Sequence, residues 1–256
     1  MTLFYQVYAF AFGALIGSFL NVVIYRLPLK KDMVKARSAC PKCNAQLKWY
    51  HNIPILSFLF LRGKCGFCKT PISYRYPLIE LMTGLFALWL FPYELSPESL
   101  MHFSLFFAIG CVFICHFFID LDHHLLLDSL NLYLLVLFLC YSVLTFHWQY
   151  YVTGALIGFL GPLLVTWLFY KIRGQIGLGG GDIKLFGILG LYLGPIGVVY
   201  NIFFSCMIGA LCGIILILTN KMDRSKPMPF GPFIILIASL QIFFPSIFSY
   251  LESIVR

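Results

Sequence analysis

Apolar and polar positions alternate along this chain in long blocks rather than at helical or strand spacing. Leu3–Tyr25 is an uncharged, largely apolar stretch, and further runs cover residues 77–93, 101–120, 126–146, 152–171, 183–196, 197–219 and 229–250. Most are about 20 residues long, which is what a helix needs to cross a bilayer. The pattern therefore predicts about eight transmembrane helices, with Gly194-Pro195 as the turn between the sixth and the seventh. One polar insertion, residues 27–75, separates the first two runs.

The distribution of charge orients these helices. Arg26 to Arg75 carries eleven basic residues and one acid, Asp32. With that segment in the cytoplasm, eight spans put Lys171, Arg173, Lys184, Lys221, Arg224 and Lys226 on the same side. Seventeen of the eighteen basic residues are then cytoplasmic, Arg256 excepted, as positive-inside bias requires. The N-terminus is expected outside. The first charged residue is Arg26, so Leu3–Tyr25 lacks a basic leader and reads as a retained helix, not a cleaved signal.

Composition agrees. Charged residues make up 11% and hydrophobic residues 61%, against about 25% charged in soluble domains. A soluble globular fold is excluded by that balance. The net charge of +8 is accounted for by the cytoplasmic loops and their attraction to anionic lipid, and nucleic acid is not an expected partner.

Within the insertion, Cys40-Pro-Lys-Cys43 and Cys65-Gly-Phe-Cys68 form two CxxC knuckles. Two knuckles supply four thiolates, a tetrahedral set that suits structural zinc and leaves no open position for catalysis. Lys42, Lys64 and Lys69 would lower the thiol pKa values and offset the thiolate charge. Disulfides are the alternative, disfavoured in a reducing compartment. The remaining cysteines (Cys111, Cys115, Cys140, Cys206 and Cys212) lie in apolar runs and read as packing residues.

Acidic residues in apolar segments are costly and usually face a partner or a cavity. Asp120 closes the third run, and Asp182 stands in Gly179-Gly180-Gly181-Asp182 at the start of the sixth. Both belong to the cytoplasmic face of the predicted arrangement. Asp122 is two residues further on, about 200° around a helix from Asp120, and is expected in water or as a cap with His123 and His124 beside it. Asp128 reads as the cap of the next helix. Five glycines between Gly174 and Lys184 work against helix formation, but they would let a peptide backbone lie close to Asp182. Two facing carboxyls can share a proton and activate water. A transporter that relays protons through buried acids is the rival reading, although transporters often carry inverted repeats and none is evident.

In order along the chain, the distinctive segments are Gly17-Ser-Phe-Leu-Asn-Val-Val-Ile-Tyr-Arg-Leu-Pro28, the two CxxC knuckles, Trp49-Tyr-His-Asn-Ile-Pro-Ile-Leu-Ser57 and Arg75-Tyr-Pro-Leu-Ile-Glu80. Ile119-Asp120, the glycine-rich Asp182 motif and Pro229-Phe-Gly-Pro-Phe233 complete the series. The series resembles the type IV prepilin peptidases, GxGD aspartyl proteases that are also N-methyltransferases. The resemblance implies catalytic Asp120 and Asp182. It also implies a pilin-like precursor substrate, with a basic leader followed by an apolar helix, and S-adenosylmethionine as methyl donor. Its bacterial setting implies the inner membrane, with the active site facing the cytoplasm. A peptidase of the same architecture without methyltransferase activity is the nearer alternative.

The resemblance places methyl transfer with the cytoplasmic insertion and its flank, where Glu80 is the candidate for recognising an amine or sulfonium. An ion pair of Glu80 with Arg75 or Arg26 is the alternative role. Asn21 and Arg26 either shape the same site or pack and snorkel. One departure stands out: Leu126-Leu127-Asp128 occupies the position where the family usually has Leu-Pro-Asp. The expected organisation is residues 1–26 as the first helix, 27–76 as the zinc-binding and methyltransferase region, and 77–256 as a seven-helix peptidase domain.

Overall fold

The computed structural model describes residues 3–33, 38–40, 42–175, 177–220 and 228–248. Lys35, Arg37, Lys221, Arg224, Lys226 and Arg256, on which part of the orientation argument rests, lie outside the described residues. Among the described residues the regular structure is helical, with two isolated antiparallel bridges. Five helices among the described residues are long and apolar enough to cross a membrane. The chain divides into two compact units, Met1–Cys115 and His116–Arg256.

The first unit holds α1 (Leu3–Arg26), a 3-10 turn (Trp49–Asn52), α2 (Leu56–Phe60), α3 (Arg75–Leu90) and the first part of α4 (Pro97–His123). Gly13 and Gly17 let α1 approach α3 closely. A Cβ on Gly17 would lie 2.8 Å from Glu80 Cα, and one on Gly13 would lie 2.9 Å from Gly84 Cα. Small residues four apart bring helix backbones into contact in apolar surroundings, where packing replaces the hydrophobic drive. Asn21 locks the pair, its amide donating to Tyr76 O and Gly17 O at 3.2 Å each. The expected run 77–93 is realised as α3, which is 16 residues long. At 1.5 Å per residue that is ~24 Å, short of the ~30 Å hydrocarbon core.

The second unit holds the end of α4, α5 (Asp128–Thr145), α6 (Trp148–Arg173), α7 (Gly180–Leu218) and α8 (Gly231–Phe243). α7 covers 39 residues but is two helical segments that meet at Gly194, whose φ of 68° and ψ of −174° are non-helical. The chain turns back there. A Cβ on Gly158 of α6 would touch both Phe186 O and Val198 Cγ2, twelve residues apart in α7. A straight helix would hold those residues ~18 Å apart.

The break strands backbone groups that lipid cannot satisfy. Pro195 has no N–H to give Leu191 O, and the Ser142 hydroxyl donates to that carbonyl instead, at 2.8 Å. Tyr150 Oη donates to Leu193 O at 2.8 Å, and Gln241 Nε2 to Gly197 O at 2.8 Å. The Asn201 amide donates to Gln241 Oε1 at 2.9 Å, tying α8 to the second half of α7. Ser142 and Tyr150 therefore repair this turn, and Gln241 braces the segment that follows it. The turn itself was predicted from Gly194-Pro195, but the residues that repair it come from two other helices, α5 and α6.

Candidate active site

Asp120 lies in the last turn of α4 and is only 5% exposed. Its Oδ2 accepts the backbone N–H of Gly231 at 2.9 Å. Gly231 opens α8, so a helix N-terminus, with its unsatisfied donors and positive dipole end, faces this carboxylate. A Cβ there would lie 2.8 Å from Asp120 Oδ2 and 3.0 Å from Leu126 Cδ2, so any larger residue displaces the tips of those side chains. α4 then ends at His124, whose N–H bonds Asp120 O at 2.9 Å and whose φ is 53°.

Asp182 is the third residue of α7, with Gly179 as N-cap. The Gly179 N–H faces its carboxyl, the N3-to-N-cap half of a capping box, whose other half a glycine cannot supply. A Cβ on Gly179 would lie 2.9 Å from Asp182 Oδ2, so the glycine lets backbone sit against the acid. Leu126 joins the two neighbourhoods, lying beside Gly231 and also beside Gly181, where a Cβ would come within 2.9 Å of Leu126 Cβ. The charge of Asp120 acts directly on the Asp182 carboxyl. The fold thus brings together two acids that are 62 positions apart in the chain.

The neighbouring acids take other places. Asp122 is exposed, as its helical phase requires. Asp128 is the first residue of α5, not its cap, because Leu127 holds the cap position. Its Oδ1 instead pairs with Lys184 Nζ at 2.7 Å, two residues beyond Asp182. His116, one helical turn before Asp120, is fully buried, and neither ring nitrogen has a hydrogen-bond partner among the described residues. Sequence reasoning missed the Gly231 amide, the Asp128–Lys184 pair and this histidine. The block Pro229–Phe233 was the one available signal for the first of them.

In the first unit the four cysteines converge, with all four sulfurs within 4.8 Å of one another. Each knuckle folds the same way. Cys40 N–H bonds Ala45 O and Asn44 N–H bonds Cys40 O; Cys65 N–H bonds Thr70 O and Lys69 N–H bonds Cys65 O. Asn44 and Lys69 take positive φ at matching positions. The thiols are free rather than bridged.

Backbone N–H groups of Cys43 and Lys42 hold the Cys40 thiol below its ordinary value. The Thr70 hydroxyl, 3.0 Å from the sulfur, brings Cys68 down to about 6. Cys43, despite the Ala45 N–H, is pushed up to about 11 by desolvation and the neighbouring sulfurs. Sulfurs that compete for protons at this spacing suit a divalent cation, and the set can hold a metal ion.

Glu80 is elsewhere in that unit, buried against α1. Its Oε2 accepts the backbone N–H of Ile55 at 2.7 Å, and the Ser18 hydroxyl also approaches it.

Comparison with known proteins gives these features a context. Residues 11–93 match the bacterial peptidase A24 N-terminal domain, and residues 105–214 match the type IV leader peptidase family. The chain is 35% identical to a protein of Stutzerimonas stutzeri named prepilin leader peptidase/N-methyltransferase, over 88% of this chain and 86% of that one. Proteins of the same name from Aeromonas hydrophila (37%, covering 88% and 86%) and Myxococcus xanthus (38%, covering 84% and 64%) are also similar. No solved structure matches it. A helical protein with several membrane-capable helices and buried or half-buried acids at the ends of two of them is thereby given its class: the chain belongs to the type IV leader peptidase family.

Proposed function

We propose that the protein removes the leader peptide from pilin-like precursors with an Asp120–Asp182 dyad and then N-methylates the new terminus. The observation that carries this is the convergence of the two carboxyls around Leu126, with the Gly231 amide on one of them. One aspartate, ionised, takes a proton from water as the water oxygen attacks the scissile carbonyl. The other, protonated, polarises that carbonyl. Collapse of the tetrahedral intermediate passes a proton to the leaving amine and restores the shared proton. The roles belong to the pair as a unit, since coupled carboxyls titrate together.

Eight spans follow on this reading if α7 counts twice and α3 and α8 each cross, α3 and α8 within a locally thinned or tilted arrangement. The N-terminus then lies outside, and the dyad lies at the cytoplasmic end of the bundle in the bacterial inner membrane. That position meets the junction between a precursor's basic leader and its apolar helix. Residues 1–26, 27–76 and 77–256 act as first helix, zinc and methyltransferase region, and peptidase domain. Cys40, Cys43, Cys65 and Cys68 hold structural zinc, which folds an insertion too small to have its own core.

S-adenosylmethionine supplies an electrophilic methyl group when bound. Glu80, with one oxygen engaged by Ile55, offers its other oxygen to the positive charge of the donor or of the substrate amine. The test is direct. Purified protein is incubated with a precursor pilin and labelled donor, and both leader loss and label at the new N-terminus are expected. A precursor left intact under conditions where zinc is retained overturns the reading.

A further inference from the structure

Residues 53–61 read Ile-Pro-Ile-Leu-Ser-Phe-Leu-Phe-Leu, the longest apolar run within the polar insertion. Their placement is unusual for a loop assigned to water. Ile55 N–H is held by Glu80 of α3, five residues and ~7 Å along that helix from its start at Arg75. Glu80 in turn lies beside Gly17 of α1. Gly17 is nine residues before Arg26, ~13 Å along α1 from that end. α1 is 24 residues, ~36 Å, only slightly longer than the ~30 Å hydrocarbon core. Measured along α3 and along α1, both through Glu80, Ile55 lies below the headgroups.

The backbone is fitted for that depth. Non-helical backbone in lipid must have its polar groups satisfied by protein. Ser57 N–H bonds Ile53 O, Leu59 N–H bonds Ile55 O, Leu61 N–H bonds Ser57 O, and Gly63 N–H bonds Phe58 O. The Ile55 N–H, which has no helical partner, is the one Glu80 takes. Ile55 itself has φ 59° and ψ −51°, a conformation costly for a β-branched residue and kept only where surroundings enforce it. It reverses the chain into α2. Phe58, half-buried, packs over Gly63 and against the exposed ring of Tyr74, with ring centroids 5.4 Å apart. Leu56, Leu59 and Phe60, at i, i+3 and i+4, share the other face and are 50%, 63% and 83% exposed. Arg62 and Lys64 follow at once, placed to meet headgroup phosphates as the chain leaves.

We propose that residues 53–61 are re-entrant: they dip into the leaflet at the Arg26 end of α1 and lay Leu56, Leu59 and Phe60 against lipid acyl chains. The insertion is then clamped to the membrane plane at two points, its metal knuckles outside and this hairpin inside. The inference rests on α1 spanning the bilayer, which is part of the proposed function, but not on the chemistry of the dyad.

The test uses the full chain in lipid nanodiscs, with Phe60 replaced by 4-trifluoromethyl-phenylalanine and, separately, Leu59 replaced in the same way. Leader removal and zinc content are measured on the same samples, so failure of the peptidase reading is seen independently. The expected result is loss of the fluorine line's intensity with a nitroxide carried on the upper acyl chain, and no loss with a water-soluble gadolinium chelate. Broadening by the chelate alone overturns the proposal in favour of a solvated loop. A signal shielded from both agents but shifted by added precursor overturns it in favour of a substrate-docking face.

Discussion

The backbone N–H of Gly231 donates to Asp120 Oδ2 at 2.9 Å, joining the first turn of α8 to the last turn of α4. This bond fixes the rotamer of one carboxyl before any substrate arrives. Gly231→Ala would put a methyl group 2.8 Å from that oxygen and force it aside. A displacement of about 1 Å at a reacting group can cost about 10²-fold. The expected outcome is a fall of that order in leader cleavage with unchanged membrane insertion, read from single-turnover kinetics.

The Asp128–Lys184 pair clamps the start of α5 to the start of α7, close to Asp182. Both side chains are more than half exposed, so the coupling energy in a double-mutant cycle is expected at about 0–1 kcal/mol. Asp128→Asn and Lys184→Met should each change stability little and lower cleavage modestly. The effect should fade with added salt, because exposed pairs are screened.

Glu80→Ala leaves the Ile55 N–H without its acceptor, at a cost of about 1–3 kcal/mol. Glu80→Gln keeps an acceptor oxygen and should retain most of that stability. Amide exchange at Ile55 distinguishes the two: fast in the alanine variant, near wild type in the glutamine variant. With the proposed methyltransferase role, the glutamine variant loses N-methylation while still removing leaders.

Metal removal should expose unequal thiols. With Cys68 brought down to about 6 and Cys43 raised to about 11, near neutral pH the first is mostly thiolate and the second is thiol. Alkylation of the stripped protein should therefore label Cys68 well before Cys43, and labelling of Cys68 should weaken as pH falls through about 6. Thr70→Val removes the main hydrogen bond to that sulfur and should slow the reaction near neutral pH. Reloading with zinc should protect all four cysteines, as peptide mass mapping would report.

Much of this was legible from local signals. The apolar runs anticipated α1 and α4 to α7 closely, and Gly194-Pro195 marked the break because glycine and proline act on their own backbone. The phase difference between Asp120 and Asp122 separated a buried acid from an exposed one. The CxxC spacing announced a sulfur cluster because each knuckle closes within a few residues. The misses are long-range. Asp128 looked like a cap because its partner, Lys184, is 56 positions away. The Glu80 carboxyl was the candidate for recognising an amine or sulfonium, with an Arg75 or Arg26 ion pair as its alternative role; the backbone N–H it holds, 25 positions back, had no local signal. Residues 53–61 were grouped with a polar insertion because nothing local reveals that α1 and α3 flank them. Ser142 and Tyr150, which repair the Gly194 turn, gave no periodic signal of their own.

The central claim is that Asp120 and Asp182 act as one catalytic unit. It is tested most directly by following leader removal from a precursor pilin by purified Asp120→Asn, Asp182→Asn and double variants reconstituted in lipid. Loss of cleavage in either single variant, with no further loss in the double and with zinc content unchanged, is the predicted result. Continued maturation by either single variant would contradict it.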